Sequence, residues 1–155
     1  MATIDATFTL SSDITSYGLS INNTMTMTKA DSTVGLELTT GLAKRSFTST
    51  NQVDLLTFNT GVAADVTADK SAKLYIKNVG SDSTKYFTIG KGNSSGSSTE
   101  TAIASDGTAY YRIGRLYGGD WMLIPWDAAG SNIGDITIQP SSATKMDVEY
   151  MVFYE

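Results

Sequence analysis

The chain has 155 residues, of which 41% are apolar and only 17% are charged, and it contains neither histidine nor cysteine. Those two side chains most often transfer protons, attack substrates or bind transition metals near neutral pH, so their absence disfavours such chemistry. The net charge of −5, with scattered lysines and arginines, argues against sequence-independent binding of nucleic acid and against binding to an anionic membrane surface.

The length fits one domain with a single core, which we place over residues 1–155. The first residues lack the basic and apolar regions of a secretory signal, so we expect no signal peptide. The longest apolar run, residues 121–126, is too short to span a bilayer. The absence of cysteine favours folding in a reducing cytoplasm.

Strand-like alternation begins at the N-terminus and predicts strands near residues 2–10 and 18–28. In the first of these, threonines and Asp5 separate apolar residues that lie on one face, which are Ile4, Ala6, Phe8 and Leu10. Residues 1–11 are therefore a candidate N-terminal arm that adds a strand to a neighbouring subunit or shell. The alternative is an ordinary first strand within the chain's own sandwich.

The middle of the chain predicts strands near residues 42–50 and 52–58, and a short helical turn could form within 59–71. Residues 72–79 and 85–90 are β-rich runs on either side of a turn-forming cluster, so we expect them to pair as a hairpin. The Gly-, Ser- and Thr-rich segment 91–107 is then an exposed loop.

Further strands are predicted at residues 108–117, 121–126, 135–139 and 145–154, and we expect a fold of about nine strands. The run 121–126 is apolar at both alternating sets of positions, which predicts burial on both faces. Pro125 has no N–H, so that strand should end there or lie at a sheet edge. The pattern predicts an all-β, antiparallel β-sandwich with a jelly-roll or Greek-key arrangement and very little helix.

Carboxylates are the remaining candidates for catalysis or metal binding. A glycosidase pair could be drawn from Asp120, Asp127, Asp135, Asp147 and Glu149. Turn positions explain Asp120 and Asp135, and a solvated or interface-facing strand face explains Asp147 and Glu149. Acidic loops at Asp65/Asp69 and at residues 81–83 lack calcium-loop spacing. We predict no catalytic residue, no metal and no cofactor.

Five aromatic residues, Tyr110, Tyr111, Tyr117, Trp121 and Trp126, fall within seventeen positions of the chain. They could pack in the core, form a protein interface or make a sugar-binding platform, and at least one tryptophan should lie in the core. Together with the N-terminal strand they supply the predicted interaction residues, which are Ile4, Phe8, Tyr110, Tyr117, Trp121 and Trp126.

The C-terminal half contains Leu-Tyr-Ile-Lys-Asn at 74–78, Tyr-Phe-Thr-Ile-Gly at 86–90, Arg-Leu-Tyr-Gly-Gly-Asp-Trp-Met-Leu-Ile-Pro-Trp at 115–126 and Val-Glu-Tyr-Met-Val-Phe-Tyr at 148–154. These segments resemble small β-sandwich virion proteins of tailed bacteriophages, particularly those of marine cyanobacterial viruses. In that family a strand ending in Lys-Asn pairs with one ending in Ile-Gly. The resemblance covers residues 72–154 and implies a virion component without an active site.

We therefore expect a non-enzymatic structural protein located in the virion, namely a capsid decoration (cement) protein that binds and stabilises the assembled shell. Its expected partners are further copies of itself, as a homotrimer, and the major capsid or other virion proteins. A threonine- and serine-rich surface of low charge suits salty surroundings, where ion pairs are screened. The alternatives are a tail- or fibre-associated virion protein, a carbohydrate-binding β-sandwich module and a small carboxylate-dependent hydrolase.

Overall fold

A computed structural model describes residues 4–13, 18–29, 32–57, 72–92, 111–126 and 135–155. The described residues form eleven strands and no helix, which confirms the all-β prediction. Within them, no helix is long and apolar enough to cross a membrane. The possible helical turn in 59–71 and most of the predicted loop 91–107 lie outside the described residues.

Nine strands build two packed sheets and two form a separate ribbon. The strands are β1 (Asp5–Ser12), β2 (Leu19–Thr26), β3 (Leu38–Thr39), β4 (Ala43–Phe47), β5 (Val53–Leu56), β6 (Ala72–Asn78), β7 (Tyr86–Lys91), β8 (Tyr111–Tyr117), β9 (Trp121–Pro125), β10 (Ile136–Pro140) and β11 (Met146–Tyr154). All of the pairings between these strands are antiparallel.

The strand order identifies the sandwich as a jelly roll. One sheet runs β4-β11-β6-β9, with the short β3 also on β11, and the other runs β5-β10-β7-β8. Numbered from β4 as strand one, these orders are 1-8-3-6 and 2-7-4-5. Successive strands thus alternate between the sheets except at the β7–β8 hairpin, which is the double Greek-key path of a jelly roll. The predicted sandwich is confirmed.

The core lies between the two sheets and follows the period-two pattern of their strands. On β6 the inward Ala72, Leu74 and Ile76 alternate with partly exposed residues. The remaining fully or nearly buried members of this core are Phe47, Leu55, Phe87, Ile89, Leu116, Trp126, Ile136, Ile138, Met146, Val148 and Val152. Trp126 is only 3% exposed, which confirms that at least one tryptophan belongs to the core.

The predicted hairpin between residues 72–79 and 85–90 is wrong, because β6 and β7 lie in different sheets. The pairing partners of β6 are β11 and β9, whereas β7 pairs with β10 and β8. The connection 79–85 crosses from one sheet to the other. Turn-forming residues occur in such crossings as readily as in hairpins, so the sequence pattern did not distinguish the two. The resemblance to a family in which these strands pair therefore does not extend to this feature.

Strand β9 was expected to be buried on both faces, and the structure corrects this. Among the described strands β9 pairs with β6 alone, so it is an edge strand, and its outward Trp121 is 51% exposed. The strand ends at Pro125, as the missing N–H of proline predicted. The second apolar set on β9 therefore lies on the outer face of the sandwich.

Candidate interaction site

The N-terminal ribbon consists of β1 and β2, which pair from Asp5↔Thr26 to Ser12↔Leu19 and belong to neither sandwich sheet. This arrangement fits neither expectation for the first strand, since β1 pairs with its own chain but outside the sandwich. Because register and alternation fix which side chains share a face, the ribbon is amphipathic. The apolar residues of one side, called the ribbon face below, are Ile4, Ala6, Phe8, Leu10, Leu19, Ile21, Met25 and Met27, and Ser12 and Asn23 lie on the same side.

Side-chain hydrogen bonds hold the opposite, polar side of the ribbon in register. The hydroxyls of Thr7 and Thr24 lie 3.0 Å apart, and the Thr26 hydroxyl donates to Asp5 Oδ1 at 2.6 Å. Cross-strand pairs of this kind specify register in antiparallel sheets. Polar contacts therefore fix the side of the ribbon that can face water, and the ribbon face presents its apolar residues together on the other side, interrupted by Asn23.

The base of the ribbon is tied to the chain that follows it. The Met27 N–H donates to the Ile4 carbonyl at 2.9 Å, and the Leu36 N–H donates to the Met27 carbonyl at 2.8 Å. Both Met27 and Leu36 are buried, at 3% and 0% exposure. Further along the ribbon face, by contrast, Phe8, Leu10, Leu19 and Met25 are each between 39% and 47% exposed.

A second apolar surface lies on the outer side of β6, β9 and β11. Tyr75 on the central strand sits between Leu123 of β9 and Met151 of β11, in one row across the sheet. With Trp121 and Phe153 these residues form what we call the sheet patch. The Tyr75 and Trp121 rings are 6.3 Å apart between centroids and tilted by 37°. Burial, and secondarily the nearby Glu149 carboxylate, raises the pKa of Tyr75.

The ribbon face and the sheet patch are the two walls of an open cleft of about 1060 Å³. Most of its lining is apolar, and the charged residues at its border, Asp5, Arg115 and Asp120, carry both signs. The Asp120 carboxylate already accepts the Tyr117 N–H at 2.9 Å, so it acts as a turn residue. Such a cleft is suited to removing apolar surface from water on contact with a partner.

The structure brings together three of the predicted interaction residues, since Ile4, Phe8 and Trp121 all line the cleft. Tyr117 is 38% exposed but packs on Tyr86, with ring centroids 5.2 Å apart. Trp126 lies in the core, and Tyr110 lies outside the described residues.

Sequence reasoning missed the sheet patch apart from Trp121. The sequence pattern that could have predicted the patch is a strand with apolar residues on both faces, as at residues 150–154 and 121–125. We interpreted that pattern on β9 as burial on both sides. An outer face that forms an interface produces the same pattern, because both faces then avoid water.

Two further candidate carboxylates have hydrogen-bond partners, and three lie outside the described residues. Asp82 Oδ1 accepts the N–H and hydroxyl of Thr84 at 2.9 and 2.6 Å, and Asp147 accepts the Ser46 hydroxyl. Asp65, Asp69 and Asp127 lie outside the described residues. Within the described part of the chain, no group of three or more acidic residues could hold a metal ion.

These hydrogen bonds should make the free energy of unfolding depend on pH in the acid range. The Ser46 hydroxyl, followed by Lys145 and Lys44, lowers the pKa of Asp147, and Thr84 and then Lys85 lower that of Asp82. A lowered pKa stabilises the fold above the ordinary aspartate value of about 3.9, and this contribution is lost as pH falls through the lowered pKa. We expect the urea midpoint to fall between pH 5 and pH 2. The D147N variant should show a smaller fall than wild type, whereas D13N, at an exposed position, should match wild type.

Comparison of the chain with protein families, with curated proteins and with solved structures gives no match. The cleft itself, with its largely apolar lining, is therefore the basis for a proposal about function.

Proposed function

We propose that this chain is a non-enzymatic structural protein of a tailed-phage virion, and that it decorates the assembled capsid shell. The observation that carries the proposal is the uncovered apolar cleft between the ribbon and the sandwich. An apolar surface that a monomer leaves open marks a site of contact. Jelly rolls are found in viral capsid and lectin domains, although a fold alone does not define a function.

Surface composition supports the same proposal. Only 17% of the residues are charged, and the polar side of the ribbon consists of threonine, serine and asparagine apart from Asp5. Salt screens ion pairs between exposed groups but leaves apolar contacts intact. A protein that stays bound to a shell in salty water therefore benefits from an apolar docking surface and, on its exposed side, from polar residues without charge. Its partners would be the major capsid protein and further copies of this chain, arranged as a trimer.

Virion binding can be tested directly by adding the purified protein to particles of its phage from which this component has been removed. Cryo-electron microscopy should then show added density at regular positions on the shell. Density on the tail or fibres would instead favour the tail-associated alternative. Particles that bind no protein at either place would contradict a virion role.

A carbohydrate-binding module is the second candidate, because Trp121 is exposed beside Tyr75 in the cleft. Sugars stack on exposed aromatic faces, but the 37° tilt of this pair does not offer a flat two-ring platform. A glycan array followed by calorimetry would separate the two functions. Saturable binding of a glycan that is lost in W121A would favour the module.

Removal of the ribbon should leave a folded sandwich, because the buried core cluster contains no ribbon residue. Deleting only residues 1–11 would leave β2 unpaired, so the informative variant lacks residues 1–26. We expect its thermal midpoint to fall by no more than about 3 °C, equivalent to about 1 kcal/mol for a domain of this size. Calorimetry provides the measurement. A variant that fails to unfold cooperatively would show that the ribbon is part of the core.

A further inference from the structure

We infer that the ribbon face of one copy docks on the sheet patch of a second copy, so that copies join by exchanging N-terminal ribbons. The inference rests on the self-association within the proposed function and not on the virion role. An isolated two-stranded ribbon is marginally stable in water, so its apolar side needs a surface to cover it.

Within one copy this cover is incomplete. The ribbon face and the sheet patch face each other across the cleft, yet Phe8 is 47% exposed on one wall and Trp121 is 51% exposed on the other. Protein interiors and permanent interfaces are packed far more tightly than this. Leu10 and Leu19 continue the ribbon face but do not line the cleft. The ribbon therefore presents more apolar surface than its own sandwich receives.

The size of the ribbon favours a second copy as the occupant. Its strands are eight residues long. At a rise of about 3.4 Å per residue and a width of about 10 Å for two strands, the ribbon face covers about 270 Å². A stable interface buries about 800 Å² on each partner, so one ribbon is too small alone. Another copy supplies both a ribbon and a patch, which raises the contact to about 540 Å² on each partner, and closure into a dimer or trimer uses both surfaces of every copy.

The charges also favour a copy of this chain over a charged partner. No lysine or arginine occurs in residues 1–28, and the ribbon face contains no ionisable side chain. The border of the cleft carries both an arginine and aspartates, so it presents no single sign that would select an acidic or basic ligand. An uncharged apolar ribbon matches the apolar patch that this same chain provides.

Sedimentation equilibrium of the full chain at micromolar concentrations tests the inference. Wild type should sediment as a species larger than its 16.5 kDa monomer. L10T, which keeps a good strand-forming residue but removes the apolar side chain, should weaken association about tenfold or more. The matched control is L42T, since Leu42 is an exposed leucine, 60% accessible, outside both the ribbon face and the sheet patch. It should associate like wild type.

Cross-linking then identifies the surfaces, because the natural chain has no cysteine. L10C and W121C proteins are mixed and treated with a short bismaleimide. A covalent heterodimer, exceeding the L10C homodimer, is expected from ribbon-to-patch docking. Circular dichroism confirms that each variant is folded.

Four outcomes would overturn the inference. A wild-type monomer at all salt concentrations would exclude self-docking, and the cryo-electron microscopy test would then decide separately whether the virion role survives. Cross-linking of L10C only to itself would show that ribbons pack on ribbons. Equal loss of association in L10T and L42T would show nonspecific contact. Binding of the monomer to neutral lipid vesicles, lost in L10T, would assign the ribbon face to a membrane instead.

Discussion

Replacing Gly118 with alanine is expected to lower the free energy of unfolding by about 3 kcal/mol, the upper end of the usual cost of overpacking. Gly118 begins the turn between β8 and β9, where it contacts the connection that follows β6. A Cβ atom at this position would lie 2.6 Å from the Asp82 carbonyl oxygen and 2.8 Å from the Asp82 nitrogen. These are backbone atoms, which cannot rotate away as the end of a side chain can.

The Asp82 backbone has little freedom to move, because its own turn holds it in place. Its carbonyl accepts the Lys85 N–H at 3.2 Å while its carboxylate accepts the Thr84 N–H. Calorimetry of G118A should show the midpoint lowered by about 6–12 °C for a domain of this size. The matched control is G114A in β8, where an added Cβ meets nothing within 4 Å. Similar midpoints for the two variants would contradict a close approach at Gly118.

The all-β fold class could be predicted from the sequence because period-two alternation is a local property. On β6 and β11 the alternation alone separates core from outer positions. Pairing is not local, and this is why the β6–β7 connection was misjudged. A jelly roll places chain neighbours in opposite sheets, and a short polar segment fits that path as well as a hairpin. The two-residue β3 was also missed, since its only signal is pairing with the far end of β11.

The candidate site could be predicted only in part for the same reason. Ile4 and Phe8 stood out because the N-terminal strand alternates cleanly, and Trp121 stood out as an aromatic residue. Their position on opposite walls of one cleft depends on how the ribbon folds back over the outer face of the sandwich. That placement is a tertiary feature, which no pattern within either segment contains.

Asn78 connects the segment that follows β6 with the turn between β8 and β9. Its replacement by alanine should lower the free energy of unfolding nearly as much as that of Gly118. Its side-chain amide donates to the Leu116 carbonyl at 3.0 Å, and its side-chain oxygen accepts the Gly80 N–H at 3.0 Å. Its backbone donates to Asp120 and accepts from Gly119. The side chain is needed at the C-terminal end of β6, where the chain must turn away from its sheet while the β8–β9 turn packs beside it.

Asn78 is 1% exposed, so in N78A water cannot replace the amide at the buried Leu116 carbonyl, whereas the Gly80 N–H belongs to an exposed residue and can bond to water. An unpaired buried group costs about 1–3 kcal/mol, so we expect a loss of about 2 kcal/mol. For a urea dependence of about 1–3 kcal/mol per molar, the unfolding midpoint should fall by about 1–2 M. N22A, which removes an exposed asparagine from the ribbon, should change the midpoint little. If N78A and N22A unfolded at the same urea concentration, the segment after β6 and the β8–β9 turn would be held by packing at Gly118 and not by the Asn78 side chain.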